Sequence, residues 1–280
     1  MHVSKLHGTG NDFLVVVALE GVGAADAAAA RALCDRHRGV GADGLITLLP
    51  GADGADCAME LRNADGGLAE MSGNGIRCLA WIAAREGLVR GDRLVVDTGG
   101  GRRLVSTAFG GDAPFATVDM GAVTFDPPSI PLDAPSAFDL EATYHGTHYR
   151  GDAAGIGNPH LVLLVDDVAA ARVTQHGPHL DHDPRFPNGA NVEFVQVVDR
   201  ALLRLRVWER GVGETLSCGT GVCAASAVAH RRGLVGEELV VEVPGGTHSV
   251  VVGETVRLGG EVQHVFDVDV DIDELVRRST

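Results

Sequence analysis

Lysine is almost absent from this sequence. Lys5 is the only lysine among 280 residues, and the other basic residues are arginines. A pyridoxal-phosphate enzyme holds its cofactor through a lysine Schiff base inside the active site. Lys5 lies near the chain start in a strand-like segment, which argues against that class of enzyme. We expect no cofactor and no bound metal.

Long hydrophobic runs are also missing. The longest, residues 13–19, is far shorter than the ~20 apolar residues that span a bilayer. The start of the sequence has no basic segment followed by an apolar one, so no secretion signal is predicted. The five cysteines are an odd number in a chain too large to need disulfides, which favours a reducing compartment. The sequence therefore predicts a cytoplasmic protein.

Positive charge is scarce as well. The chain has 23 basic and 38 acidic residues, giving a formal net charge of -15. Nucleic-acid binding needs clustered positive charge, and so does binding to anionic membranes. The composition argues against both partners and leaves a small molecule as the expected one.

What the sequence does contain is an internal repeat. Four landmarks recur in the same order at offsets of 146 to 148 residues. They are the segments 8–15 and 155–162, 41–43 and 189–191, 72–76 and 218–222, and 87–89 and 233–235. Such agreement predicts two copies of one unit of about 140 residues, related by pseudo-two-fold symmetry.

Each copy shows short apolar strands together with helices that are rich in alanine or begin at a glycine-rich turn. Helices are expected over residues 24–36, 75–86 and 221–232. Strands are expected over residues 13–19, 44–49, 59–62 and 94–97, with counterparts at 161–165, 192–198, 202–208 and 238–243. The predicted fold class is α+β, with a mostly antiparallel sheet wrapped around a long central helix in each copy.

The chemistry is expected at the paired glycine-rich turns. Ser72 opens one turn and Cys218 opens the other, each before a helix whose free N–H groups and dipole favour an anion. The same dipole is expected to lower the pKa of the Cys218 thiol. Two facing turns would hold one carboxylate and present two groups to opposite faces of the neighbouring carbon. That arrangement suits inversion of a stereocentre.

Polar residues beside the turns fit a small zwitterionic ligand. An amide donates to a carboxylate and accepts from an ammonium group. An arginine after the strand at 202–208 can clamp a second carboxylate with paired hydrogen bonds. The residues are Asn11, Asn63, Asn158, Asn191 and Arg210.

Seven motifs along nearly the whole chain resemble those of the diaminopimelate epimerase family. They are H-G-T-G-N-D-F at 7–13, G-A-D-G at 41–44, N-A-D-G at 63–66, G-N-G-I-R at 73–77, G-N-P-H at 157–160, F-P-N-G at 186–189 and E-R-G-x-G-E-T-x-x-C-G-T-G at 209–221. The resemblance implies an enzyme without cofactor or metal that interconverts LL- and meso-2,6-diaminopimelate, for lysine and peptidoglycan synthesis, with two cysteines as acid and base.

The resemblance also implies roles and domains. Cys218 would be one acid/base group, and His160 and Glu209 would tune the catalytic groups. Gly73, Asn74, Gly219 and Thr220 would hold the reacting carboxylate, and Asn11, Asn63, Asn158, Asn191, Glu209 and Arg210 would grip the substrate. The domains would be residues 1–118, with 265–280 returning to them, and 119–264, with the active site in the cleft between them. A homodimer is one possible assembly.

The sequence departs from the family at two positions. Gly44 stands where the family often has glutamine, and Ser72 stands where it has its first cysteine. A hydroxyl is a much weaker acid than a thiol and needs an adjacent base to act as one. Three interpretations stay open: an epimerase that uses Ser72 directly or through water, an engineered replacement, or a relative with altered or lost chemistry that exchanges or eliminates at one face or only binds an amino acid.

Two weaker signals concern metals and the other cysteines. His176, His179 and His182 form an H-x-x-H-x-x-H run, which neighbouring glycine and proline residues are expected to keep in a solvated loop without metal. The remaining cysteines are expected to be packing residues. They are Cys34, Cys57, Cys78 and Cys223.

Overall fold

A computed structural model describes residues 1–20, 25–111 and 113–279. The chain is mixed α and β with mostly strand, and it divides into two units. Unit 1 comprises Met1–Val118 and Gly260–Thr280, and unit 2 comprises Asp119–Gly259. Within the described residues, no helix is long and apolar enough to cross a bilayer.

Unit 1 opens with strands β1 to β8 and helices α1 and α2. The elements are β1 His2–Gly8, β2 Asn11–Val17, α1 Ala27–Cys34, β3 Gly44–Pro50, β4 Cys57–Asn63, β5 Leu68–Ala69, α2 Gly73–Arg85, β6 Arg93–Thr98, β7 Gly101–Ala108 and β8 Phe115–Asp119. The strands lie in the spatial order β1-β2-β3-β4-β6-β7-β8, with the short β5 beside β4. The pairs β2–β3 and β4–β6 are parallel and the other pairs are antiparallel.

Unit 2 repeats this topology. Its elements are β9 Leu140–Tyr144, β10 Thr147–Gly155, β11 Pro159–Leu164, α3 Val173–Leu180, β12 Asn191–Asp199, β13 Leu202–Glu209, β14 Gly213–Thr215, α4 Gly219–Arg231, β15 Glu238–Val243, β16 Gly246–Val252 and β17 Val256–Glu261. The order is β9-β10-β11-β12-β13-β15-β16-β17 with β14 beside β13, and the parallel pairs are β11–β12 and β13–β15.

The chain ends in unit 1. Strand β18 (Gln263–Asp269) pairs antiparallel with β1 along nearly its whole length. Helix α5 (Ile272–Ser279) follows, and its Ile272 and Leu275 pack against the apolar cluster that includes Leu33 of α1. In unit 1, β18 therefore pairs with β1 in the same way as β9 pairs with β10 in unit 2.

Helices α2 and α4 are deeply buried in their units. Helix α2 contacts β1, β2, β3, β4 and β7, and α4 contacts β10, β11, β12, β13, β15 and β16. Small and apolar residues occupy most of their positions, so both helices are buried on nearly every side. The two predicted helices are confirmed, but each begins two residues earlier than predicted, directly after Ser72 or Cys218.

The first predicted helix is shorter than expected. The structure places α1 over Ala27–Cys34, whereas the sequence predicts a helix over 24–36. The start is fixed by Asp26, whose side chain accepts a hydrogen bond of 2.8 Å from the Ala29 N–H and so caps the helix. Ala24 lies outside the described residues.

The loop predicted for the histidine run is partly wrong. His176 and His179 lie on α3, and His182 follows the helix. A proline inside α3 removes one hydrogen bond from the helix. The helix forms nonetheless because Gly177 packs closely on Trp208, where a Cβ would lie 2.6 Å from the ring.

Candidate active site

Cys218 is the residue immediately before α4. Its backbone is extended, with φ −119° and ψ 110°, so its side chain lies beside the free N–H groups of the first turn. The residue is only 6% exposed. Its Sγ lies 3.4 Å from Thr220 Oγ1. Glu209 lies near enough for its charge to act on the thiol. The thiol therefore has a carboxylate base beside it.

The electrostatics of this thiol differ from the sequence prediction. Burial raises the pKa of Cys218 well above its ordinary value, and the negative charges of Glu209 and Glu193 raise it further. The expected lowering of this pKa is therefore wrong: hydrogen bonds to Thr220 and to the Gly221 backbone act in that direction but are outweighed. The thiol is held protonated, so it needs a partner that accepts its proton.

Glu209 is placed to be that partner. Burial raises the pKa of its carboxyl, hydrogen bonds from the Thr215 hydroxyl and the Cys218 thiol oppose the rise, and the charge of Glu193 adds to it. A carboxyl with a raised pKa beside a thiol is suited to take up and return the thiol proton.

A second chain of contacts leads to Cys218 from β11. His160 is fully buried, and its Nε2 lies 2.9 Å from Asn158 Oδ1. The Asn158 amide nitrogen donates to Thr220 Oγ1 at 3.4 Å, and that oxygen contacts the Cys218 sulfur. The sheet explains this proximity, because β11 and the turn before it lie against α4.

Asn191 and Arg210 form another part of the unit 2 site. Asn191 Oδ1 accepts a hydrogen bond of 2.9 Å from the Arg210 backbone N–H. The Arg210 guanidinium donates to the Asn188 carbonyl at 2.7 Å, in an exposed position. Contacts of this kind link most of the residues predicted for this unit. The full set is Asn158, His160, Asn191, Glu209, Arg210, Cys218, Gly219 and Thr220.

Ser72 holds the same position before α2. Its Oγ accepts a hydrogen bond of 3.0 Å from the Gly75 N–H, and the residue is partly buried. Apolar side chains lie close to Gly75, in the first turn of the helix: a Cβ there would lie 3.0 Å from Ile46 and 3.3 Å from Phe13. Among the described residues, no carboxylate or imidazole forms a hydrogen bond with Ser72.

Amides and charges line the rest of the unit 1 site. Asn74 Nδ2 donates to Asn11 Oδ1 at 3.2 Å, and Arg77 donates to Asn74 Oδ1 at 2.7 Å. Asn11 Nδ2 donates to Asp43 at 2.7 Å. These bonds fix the direction of both amides. Asn63, the other amide predicted here, is exposed at the end of β4, where it pairs with β3.

The sequence prediction missed one residue of this region. Glu193 of β12 is fully buried, and its Oε1 lies 2.7 Å from His160 Nδ1. The signal that could have found it was the single carboxylate among the mostly apolar residues of the strand predicted at 192–198.

The other cysteines are packing residues, as predicted. All four are buried, and burial raises the pKa of three of them, Cys34, Cys57 and Cys78, to about 12. A thiol that stays protonated in this way is a poor nucleophile and a poor metal ligand. Cys218 shares the raised pKa but differs in position, because it directly precedes a helix and its sulfur lies 3.4 Å from Thr220 Oγ1.

The histidine run packs against tyrosines. His176 Nδ1 lies 2.6 Å from the Tyr149 hydroxyl, and the His179 ring stacks on Tyr144 with centroids 4.0 Å apart. In the part of the chain that the structure describes, no three His, Cys, Asp or Glu side chains form a group suited to a metal ion.

Known proteins resemble this chain over its full length. The family model described as diaminopimelate epimerase matches residues 3–125 and 153–264. The chain belongs to the diaminopimelate epimerase family. A diaminopimelate epimerase of Moorella thermoacetica is 40% identical over 98% of this chain and 100% of its own length. One of Xanthomonas euvesicatoria pv. vesicatoria is 41% identical over 95% of both chains. The family predicted from the seven motifs is thereby confirmed, and with it the class of isomerases.

Solved structures extend the likeness of fold. A probable proline racemase from Agrobacterium radiobacter has a TM-score of 0.72 at 17% identity, covering 96% of this chain and 92% of its own. A hydroxyproline epimerase from Agrobacterium vitis, with bound trans-4-hydroxy-L-proline, has a TM-score of 0.70 at 19% identity, covering 96% and 91%. At these identities the likeness shows the fold alone.

Proposed function

We propose that this chain epimerises 2,6-diaminopimelate between its LL and meso forms. Cys218 acts on one face of the α-carbon, and Ser72, directly or through a held water, acts on the other. The proposal rests on family membership together with one observation: the buried Cys218 thiol lies at a helix N-terminus, 3.4 Å from Thr220 Oγ1, and close enough to Glu209 for each group to shift the pKa of the other. A thiol beside a carboxyl is an acid–base pair suited to removing a proton.

On the Cys218 face, Glu209 accepts the thiol proton as substrate binds. The thiolate then takes the α-hydrogen, the C–H bond breaks, and its electron pair spreads into the adjacent carboxylate. The free N–H groups of Gly219 and Thr220 stabilise the negative charge that develops there, because a helix N-terminus favours anions. The turn before α2 offers the same kind of donors.

On the Ser72 face, the new C–H bond takes its proton from the hydroxyl or from a water that the hydroxyl holds. A serine without an adjacent base is a weak acid, and its alkoxide is scarcely populated at neutral pH. The step at this face therefore limits inversion in both directions, since both pass through the same transition states. Exchange of the α-hydrogen at the Cys218 face is expected to be faster than inversion.

The remaining polar residues would grip the substrate. Arg210 would bind the distal carboxylate, because its exposed guanidinium can form two parallel hydrogen bonds to it. The amides of both units would bind the ammonium and carboxylate groups; they are Asn11, Asn63, Asn74, Asn158 and Asn191.

The proposal extends to the setting of the enzyme. Each copy of the repeat would form one functional domain, and both would contribute to one active site. The cytoplasm is the proposed location, because the substrate is a biosynthetic amino acid and the cysteines are free. A homodimer stays a prediction.

Incubation with LL-diaminopimelate in deuterated water tests the proposed reaction. We expect deuterium at the α-carbon and a slower appearance of the meso form, followed by NMR and chiral chromatography. Cys218→Ala is expected to lower both rates by about 10²–10⁴-fold, the usual contribution of an acid/base group. A folded protein that binds the substrate but neither exchanges nor inverts it would refute the proposal.

A further inference from the structure

Glu193 lies on β12 with no exposure to solvent. Its Oε1 lies 2.7 Å from His160 Nδ1, and its Oε2 has no hydrogen-bond partner in the described part of the chain. Burying a carboxylate is costly unless it is both paired and fully hydrogen-bonded. A half-satisfied carboxylate at this position therefore needs an explanation other than packing.

The corresponding position of unit 1 shows that packing does not require a carboxylate here. In unit 1, Ile46 lies opposite Val15, two residues after Phe13. In unit 2, Glu193 lies opposite Val162, two residues after His160. The sheet register thus makes the unit 1 pair of phenylalanine and isoleucine the counterpart of the unit 2 pair of histidine and glutamate.

The contacts beneath the helices agree with this register. A Cβ on Gly75 would lie 3.0 Å from Ile46 Cδ1, and a Cβ on Gly221 would lie 2.6 Å from Glu193 Oε1. The same fold therefore fills the same place with an apolar pair in unit 1 and with an imidazole and a carboxylate in unit 2. The polar pair, His160 and Glu193, lies beneath α4, the helix that begins after Cys218.

His160 stands between two acceptors. Its Nδ1 faces the Glu193 carboxylate, and its Nε2 faces Asn158 Oδ1 at 2.9 Å. With the amide oxygen turned toward His160, the amide nitrogen is available to donate to Thr220 Oγ1, beside the Cys218 sulfur. Two acceptors are both satisfied when both ring nitrogens carry a proton.

We infer that Glu193 is a positioning residue for the acid–base chemistry of Cys218. Its carboxylate faces His160 Nδ1, orients the imidazole ring, and thereby fixes the relay from His160 through Asn158 and Thr220 in one direction. This role deepens the proposed function, on which its kinetic consequence rests. The state of the His160 ring can be measured whether or not diaminopimelate is the substrate.

Other titratable groups lie near the relay, and their titration can change the His160 signals. Glu209 at the end of β13 and Cys218 before α4 face the same region, as the mutual influence of their charges shows. His248 of β16 contacts Ser217, the residue before Cys218, at 2.8 Å. Spectra therefore have to be recorded across a range of pH rather than at a single value.

Nitrogen NMR of histidine-labelled protein provides the direct measurement, with the His160 signals assigned by their loss in His160→Phe. In the unmodified chain we expect His160 Nδ1 to carry a proton that is hydrogen-bonded to the Glu193 carboxylate. A bare Nδ1 would overturn the inference without any variant at position 193, so the test does not depend on how such variants fold.

Two matched variants separate charge from size. Glu193→Gln keeps the size and loses the charge, and it is expected to shift the His160 Nδ1 signal because the carboxylate acceptor becomes an amide. Glu193→Asp keeps the charge, and its His160 signals are expected to stay closer to those of the unmodified chain. Unchanged His160 signals in a folded Glu193→Gln variant would also overturn the inference.

Kinetics then connects the relay to the reaction. Exchange of the diaminopimelate α-hydrogen by Glu193→Gln is expected to fall about tenfold or more in kcat with KM within about twofold, as for a residue that acts on the chemical step. The pH profile of kcat is expected to shift as well. A rise in KM alone, with kcat and its pH profile unchanged, would contradict the assigned role. Failure of the unmodified chain to act on diaminopimelate would refute the proposed function and leave the NMR test standing.

Discussion

The two units share a topology, yet the surroundings of their helix N-termini differ in kind. Before α4, Cys218 lies within the electrostatic influence of Glu209 and at the end of a polar relay from His160. Before α2, Ser72 bonds to its own helix, and two apolar side chains of the sheet lie close to Gly75. The shared backbone therefore supplies a candidate anion site in both units, whereas the surrounding acid–base groups are those of unit 2.

The largest effect is expected from the substitution that gives both helix N-termini a thiol. Ser72→Cys places a thiol before α2, where the described structure offers no base. We expect inversion of diaminopimelate to rise about 10²-fold, because an acid/base group commonly contributes 10²–10⁴ and this one would lack a partner. Chiral chromatography of the products measures it.

The control for this variant is Ser72→Ala. If the Ser72 hydroxyl donates the proton or holds the water that does, Ser72→Ala inverts more slowly than the unmodified chain; equal rates would show that the hydroxyl takes no part. No gain from Ser72→Cys in a folded protein would show that the thiol is not what the Ser72 face lacks.

A second substitution gives unit 2, beneath α4, the apolar pair that unit 1 has beneath α2. The double variant His160→Phe with Glu193→Ile installs the apolar pair that unit 1 carries at Phe13 and Ile46. Replacing a buried ion pair by apolar residues of similar volume is often neutral or stabilises by about 1–4 kcal/mol. We expect a melting temperature no lower than that of the unmodified chain, together with a loss of exchange activity.

Thermal denaturation of the double variant and of Glu193→Ile alone completes the comparison. The single variant is expected to melt at a lower temperature, because it leaves the buried imidazole without its partner. A double variant that melts far below the unmodified chain would mean that the polar pair serves the fold.

The smallest expected effect concerns the charges of unit 1, which serve stability. Burial raises the pKa of Asp12, but hydrogen bonds from Arg36 and Lys5 outweigh it and leave that pKa below its ordinary value. The Asp12 carboxylate lies 2.7 Å from Arg36 and 3.0 Å from Lys5. A carboxyl whose pKa is lowered by folding stabilises the protein above its unfolded pKa, and loses that contribution as the pH falls through its folded pKa.

Asp12→Asn is therefore expected to lower the free energy of unfolding by about 1–2 kcal/mol at neutral pH. The difference should shrink below pH of about 3.9, the ordinary value for aspartate. Urea denaturation at several pH values measures it. A difference that is the same at neutral and at strongly acidic pH would show that the charge of Asp12 does not matter.

Much of the secondary structure was predictable, because each copy carries the same periodic signals. The strand predicted at 238–243 has the observed bounds Glu238–Val243, and the strand predicted at 192–198 differs by one residue at each end. Helix α3 was not predictable, because its stability comes from packing on Trp208 and not from local preference.

The site residues that belong to a sequence motif were predictable. The residue that is recognised only from its packing in the fold was not. Cys218 and Glu209 stand in one motif, and the structure places them near enough for each to shift the pKa of the other. Glu193 carries no motif, and its meaning appears only when the sheet register sets it against Ile46. The direction in which the pKa of Cys218 shifts was also missed, because burial and two nearby carboxylates depend on the tertiary fold.

The late position of β18 has a consequence for biosynthesis of the chain. Unit 2 is one continuous segment, whereas unit 1 gains its strand beside β1 only from Gln263–Asp269. During synthesis on the ribosome, every strand of unit 2 through β16 emerges while β1 still lacks that neighbour. A nascent chain released before β18 would keep β1 as an unpaired edge strand, and such an edge is a template for aggregation. Premature termination should therefore yield insoluble fragments and not a free first domain.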